Sequence, residues 1–78
     1  MKAKHRMKHI QLGLKISYFR KLRGLTQEEL AEKLDMSLSF IGAVEAPNMF
    51  QTVSLDTLFD IADILEVPAY KFMDFDAD

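Results

Sequence analysis

A chain of 78 residues without cysteine has room for one domain, which buries about two-thirds of its unfolded surface and is modestly stable. The lack of thiols excludes disulfides and thiolate metal sites and fits a reducing cytoplasm, while no apolar run nears the roughly 20 residues of a membrane span or follows the basic N-terminus as a signal peptide would. The net charge of -2 hides a strong segregation: up to Gln27 there are eight basic residues and no acid, and from Glu28 onward two basic residues face all twelve acids, so one end of the molecule can meet a polyanion and the other cannot.

Residues 1–9 are basic and lack helical periodicity, which predicts a flexible arm carrying Lys2, Lys4, Arg6 and Lys8. His5 and His9 stand four apart, a spacing two metal ligands can use on a helix, but with no third ligand in view they read as solvated histidines. The folded domain is expected over 10–75. Its first helix, near 11–23, places Leu12, Ile16, Phe19 and Leu22 on one stripe, and Gly24 stops it.

The start of the second helix is written as a capping box, Thr26-Gln27-Glu28-Glu29, in which the Thr26 hydroxyl accepts from the Glu29 amide and the Glu29 carboxylate reaches back. Leu30, Ala31 and Leu34 form its buried face, and it ends near residue 34. Asp35-Met36-Ser37 makes a tight turn, and Ser37 caps a third helix that carries Phe40, Ile41 and Val44 inward. Pro47 ends that helix by pushing Ala46 out of the helical region. In the following loop, Met49 and Phe50 add apolar bulk that either closes over the core or forms a patch for a partner.

Ser54 caps the fourth helix, with Asp56 well placed in its first turn. Leu55, Leu58, Phe59, Ile61, Ala62, Ile64 and Leu65 cover more than half of its circumference, which predicts a central helix buried on several sides. Pro68 suits the first turn of a short fifth helix. Residues 76–78 read as a frayed acidic tail. The expected core is Leu12, Ile16, Phe19, Leu30, Ala31, Leu34, Ile41, Val44, Leu58, Phe59, Ala62 and Leu65.

Two short helices joined by a tight turn within a bundle suggest a helix-turn-helix. The residues Leu12-Gly13, Arg20, Gly24-Leu25-Thr26-Gln27-Glu28-Glu29-Leu30-Ala31, Ser37, Ile41, Glu45 and Ser54-Leu55-Asp56-Thr57-Leu58 resemble the helix-turn-helix domain of the Cro and phage-repressor (XRE-like) family, over about Leu12 to Met73. The resemblance implies an all-α, five-helix, lambda-repressor-like bundle whose third helix lies in the major groove of double-stranded DNA. It puts Gln27 on a backbone phosphate at a helix N-terminus. It puts Ser37, Leu38, Ser39, Gly42 and Ala43 at base-reading positions, and it pairs Arg20 with Glu45. Asp35 and Glu66 stand where the family usually has Gly.

At the base-reading positions the chain departs from the family, offering two hydroxyls, a Leu, a Gly and an Ala, with no bidentate donor. Leu38 and Ala43 suit thymine methyls, and Ser39 can bond either partner of a base pair. Gly42 serves either close approach to DNA or close helix packing. Phosphate contacts are therefore expected from Gln27, Asn48 and the arm residues Lys2, Lys4, Arg6 and Lys8. Tyr70, Phe72, Met73 and Phe75 exceed what so short a helix needs for one core and suggest a homodimer surface.

Two readings follow. The first is a cytoplasmic, DNA-binding transcriptional regulator; the alternative is a protein-interaction module of the same fold with a silent recognition helix. An enzyme is not indicated, because no nucleophile–base pair is present, both histidines lie in the arm and the carboxylates are scattered. No cofactor, metal or small-molecule ligand is expected.

Overall fold

A computed structural model describes residues 3–75. Four α-helices, α1 (Arg6–Leu22), α2 (Gln27–Leu34), α3 (Leu38–Glu45) and α4 (Leu55–Leu65), are flanked by 3-10 turns at Ala3–His5 and Ala69–Met73. The described residues contain no strand. They form a body of 31 × 24 × 20 Å.

The helix starts follow the capping chemistry of the sequence. Thr26 Oγ1 accepts from the Glu29 amide at 3.0 Å while Glu29 Oε1 accepts from the Thr26 amide at 2.8 Å, so two orphan donors are satisfied reciprocally. Ser37 Oγ accepts from the Phe40 amide at 3.0 Å, and Ser54 Oγ from the Thr57 amide at 3.1 Å. The helix ends are less ordinary. Asp35 and Glu66 terminate α2 and α4 with φ of 57°, the left-handed region that favours glycine. In each case the next amide bonds back to close the end, Met36 to the Ala31 carbonyl at 2.9 Å and Val67 to the Ala62 carbonyl at 3.0 Å.

Several sequence expectations are corrected. The first helix begins at Arg6, not near residue 11, so Arg6 to His9 are its opening turns. Phe50 supplies the reason: its ring meets His9 edge-on at 5.6 Å and lies under the Arg6 guanidinium at 5.4 Å, a tertiary anchor that periodicity does not reveal. Lys2 lies outside the described residues, as do residues 76–78.

The fifth helix is a 3-10 segment, Ala69–Met73, held by the bond from the Lys71 amide to the Pro68 carbonyl at 3.0 Å. Finally, α4 is buried along one stripe only. Leu58, Ile61, Ala62 and Leu65, at i, i+3, i+4 and i+7, enter the core, and Phe59 is left 47 % exposed beside Leu55.

The core joins those α4 residues to Leu12 and Ile16 of α1, Leu30 and Ala31 of α2, Ile41 and Val44 of α3, and Val67 and Phe72. Phe19 and Leu34 are partly buried against it, whereas Leu22 is exposed. Phe72 is wholly buried and meets Phe19 edge-to-face at 5.2 Å. It therefore belongs to the core and not to an outward dimer surface. Helices α1 and α3 cross at Gly13, where a Cβ would overlap the Val44 carbonyl oxygen. No helix among the described residues is long and apolar enough to cross a membrane.

Candidate nucleic-acid interface

The α2–turn–α3 unit is tied to α1 by one polar cluster. Arg20 on α1 donates from Nε to Glu45 Oε2 at 2.7 Å and from Nη2 to Oε1 at 2.9 Å, a bidentate pair with both side chains buried. Its Nη1 donates to the Leu25 carbonyl at 2.6 Å, in the turn that leads into α2. Gln27, the first residue of α2, donates from Nε2 to the same Glu45 Oε1 at 3.0 Å. Glu45 is the last residue of α3, so one carboxylate receives a group from α1 and another from α2. Two buried charges with all their partners in place hold a geometry, because removing either strands the other. The cluster fixes the N-terminus of α2 relative to α3, and it holds the half-buried Gln27 carboxamide in one orientation.

The outward surface of this unit is built from Ser37, Leu38 and Ser39, all exposed, and from the half-buried Gly42 and Ala43. Ser37 spends its hydroxyl on the helix cap, and Leu38 is 48 % exposed at the start of α3. Gly42 resolves the choice the sequence left open. A Cβ there would find only Gln27 Oε1, at 3.9 Å, which is ordinary contact, so packing within the fold does not require the glycine. Asn48 is exposed in the loop after α3.

The basic residues divide into groups, of which the sequence separates Arg20, the expected partner of Glu45, but not Arg23. Arg20 is consumed by Glu45. Arg23 donates from Nε to the Leu65 carbonyl at 2.6 Å and from Nη2 to the Glu66 carbonyl at 3.0 Å, so it caps the end of α4. Arg6 lies over Phe50, in the same loop as Asn48. Lys8 and Lys15 border grooves that flank Phe75, and Lys4 is exposed. Phe50 is half-buried on α1 while Met49 stays exposed, so only the first of the pair closes over the fold.

Sequence reasoning passed over two structural residues here. Gly13 sits inside a helical pattern, next to the Leu12–Ile16 stripe, with no turn signal beside it, a pattern that marks close packing. The capping role of Arg23 joins positions 42 and 43 residues apart and leaves no local signature.

Four helices with α2 and α3 locked across a tight turn define a helix-turn-helix protein. The helix-turn-helix family model matches residues 16–72, and the chain belongs to that family. An uncharacterized HTH-type transcriptional regulator of Bacillus subtilis (strain 168), YazB, is 39% identical over 57 residues, which are 73% of this chain and 80% of the relative. The master regulator for biofilm formation SinR, of Bacillus subtilis, in its crystal structure in complex with DNA, superposes with a TM-score of 0.73 at 28% identity, covering 81% of this chain and 98% of that one. The restriction-modification controller protein C.AhdI from Aeromonas hydrophila gives a TM-score of 0.75 at 26% identity, covering 85% of this chain and 97% of that one.

Proposed function

We propose that this chain is a DNA-binding transcription regulator that lays α3 in the major groove of double-stranded DNA and works as a homodimer. The observation that carries this reading is the Arg20–Glu45–Gln27 cluster, which sets α2 and α3 in a fixed relation, in a chain whose relative SinR is solved in complex with DNA.

Gln27 uses one Nε2 hydrogen on Glu45 and has a second for a phosphate oxygen at the N-terminus of α2. Asn48, Lys4, Arg6 and Lys8, with Lys2 outside the described residues, add phosphate contacts. Ser37, Leu38, Ser39 and Ala43 face base edges, Leu38 and Ala43 meeting thymine methyls. Gly42 lets the α3 backbone approach the DNA. With no Arg, Lys, Asn or Gln on this surface, each absent bidentate contact forgoes about 1–3 kcal/mol of discrimination. Sequence preference is accordingly modest and partly read through DNA shape. Tyr70 and Met73, both exposed, are the dimer surface; Phe72 is withdrawn from it into the core, and Phe75 is withdrawn too because it packs partly buried against that core.

The test is a set of affinities measured across salt concentrations. Replacing Lys2, Lys4 and Arg6 with Gln weakens binding to all duplexes and flattens the salt slope, each phosphate contact accounting for about 0.9 of it. Ser39→Ala changes the ranking of duplexes and leaves the slope alone. The interaction-module reading is favoured by one observation, the apolar Leu38–Gly42–Ala43 surface, and it takes over if no duplex binds with a salt-dependent affinity.

A further inference from the structure

We infer that the solvent side of α1 is a docking surface for an acidic amphipathic helix of another protein. On the side of α1 opposite Leu12 and Ile16, the residues Met7, Leu14, Tyr18 and Leu22 recur at helical spacing, and all are exposed. This is a second apolar stripe on a helix whose first stripe already fills the core. From Met7 to Leu22 it runs about 22 Å at about 1.5 Å per residue, the length of roughly four turns of a partner helix. Tyr18 is steadied by an edge-on contact with Phe19 at 5.0 Å. Beside it lies a groove of about 330 Å³, lined by Gln11, Leu14, Lys15, Tyr18, Phe19 and Phe75.

Charge selects the occupant. No acid occurs on α1, and Lys15 and Lys21 flank the stripe with no carboxylate within ion-pair distance among the described residues. A second copy pairing through the same face would set these lysines against their own kind, whereas a helix with Glu or Asp beside its apolar residues neutralises them. The groove decides between a protein and a lipid surface. A concave site between Tyr18 and Phe75 receives a protruding side chain, as an amphipathic helix supplies, and a bilayer has none to offer. The stripe lies away from α3, so the inference stands apart from the DNA-binding reading.

The full chain is titrated with a synthetic 18-residue helical peptide carrying Leu at i, i+3 or i+4, and i+7 with Glu on its flanks, and with a twin in which every Glu is Lys. The Glu peptide binds with an affinity that falls as salt rises, and the Lys peptide binds at least about tenfold more weakly. Leu14→Ser and Tyr18→Ser each weaken the Glu peptide about tenfold while the thermal unfolding midpoint falls by only a few degrees, roughly the cost of Ser at a partly exposed helix position. Lys15→Glu shifts the preference toward the Lys peptide. Equal binding of the two peptides, or binding untouched by both serine variants, overturns the inference. So does a dimer in sedimentation that Tyr18→Ser dissolves, or binding to phosphatidylglycerol vesicles that Tyr18→Ser abolishes, because the surface then belongs to a second copy or to a membrane.

Discussion

Gly13→Ala adds a single methyl group at the point where α1 crosses α3. The new Cβ would overlap the Val44 carbonyl oxygen, a backbone atom that cannot rotate aside, so the two helices must part by more than an ångström. That gap runs through the packing of Leu12 and Ile16 against Val44, and a gap of about 0.5–1 Å forfeits a quarter to a half of each contact's attraction. Forced overpacking of this kind costs about 1–3 kcal/mol and sometimes more, and backbone obstruction puts this site at or above the upper end. Better helix propensity returns about 1 kcal/mol. The net loss is therefore about 2 kcal/mol, a large part of the ~4–11 kcal/mol expected for some 70 folded residues. It lowers the midpoint of thermal unfolding by roughly 8–16 °C. Gly42→Ala is the internal control. Its Cβ meets only Gln27 Oε1 at 3.9 Å, so the propensity gain stands alone and the protein becomes about 0.5–1 kcal/mol more stable. Urea and thermal unfolding followed by circular dichroism read both changes. An unchanged or raised midpoint for Gly13→Ala would refute the close crossing of α1 on α3.

The other consequences are as direct. Arg20→Met alone costs about 3–5 kcal/mol because Glu45 is left buried without its partner, and Arg20→Met with Glu45→Leu costs less than the single change; additive effects in a double-mutant cycle would rule out the coupling. Phe72→Ala costs about 3–5 kcal/mol, whereas Phe59→Ala stays within about 0.5 kcal/mol, an order opposite to the one the sequence suggests. The Thr26 backbone amide, and then its side chain, hold the Glu29 carboxyl below its ordinary 4.5. A depressed carboxyl stabilises the fold fully above its unfolded value and loses that contribution as pH falls through the folded one. The stability difference between the parent and Glu29→Gln, which keeps the capping pattern without the titration, therefore shrinks as pH drops below 4.5; a difference that stays constant over that range contradicts the capping contact.

The starts of α2, α3 and α4 were legible because Thr26, Ser37 and Ser54 act within three residues of themselves, and local hydrogen bonding leaves a local signature. The class of fold was legible for the same reason, since the string from Leu25 to Ala31 is contiguous. What escaped depends on partners distant in sequence. The first turns of α1 rest on Phe50, more than forty residues away, and α4 carries more apolar residues than its buried stripe can take, so periodicity points Phe59 inward where the fold leaves it outside. Phe72 looks surplus in the sequence because only the fold brings Phe19 to it. Gly42 could not be interpreted until the space around it was known. At the interface, the sequence names the outward residues of α3 and, through the resemblance, the Arg20–Glu45 pair, but it leaves Arg23 among the free basic residues, where the fold spends it on the end of α4.

The most direct test of the account is the affinity of the purified chain for the duplex lying upstream of its own coding sequence, measured by mobility shift from 50 to 200 mM salt for the parent, Gln27→Ala and Gly42→Ala. The parent's affinity is expected to fall linearly on a log–log plot, with a slope of about 0.9 per phosphate contacted. Gln27→Ala weakens binding to specific and random duplexes alike, and Gly42→Ala binds more weakly although its fold is more stable. A parent chain with no measurable affinity at 50 mM salt, or a Gly42→Ala variant that binds as the parent does while Gln27→Ala has no effect, contradicts the placement of α2 and α3 on DNA.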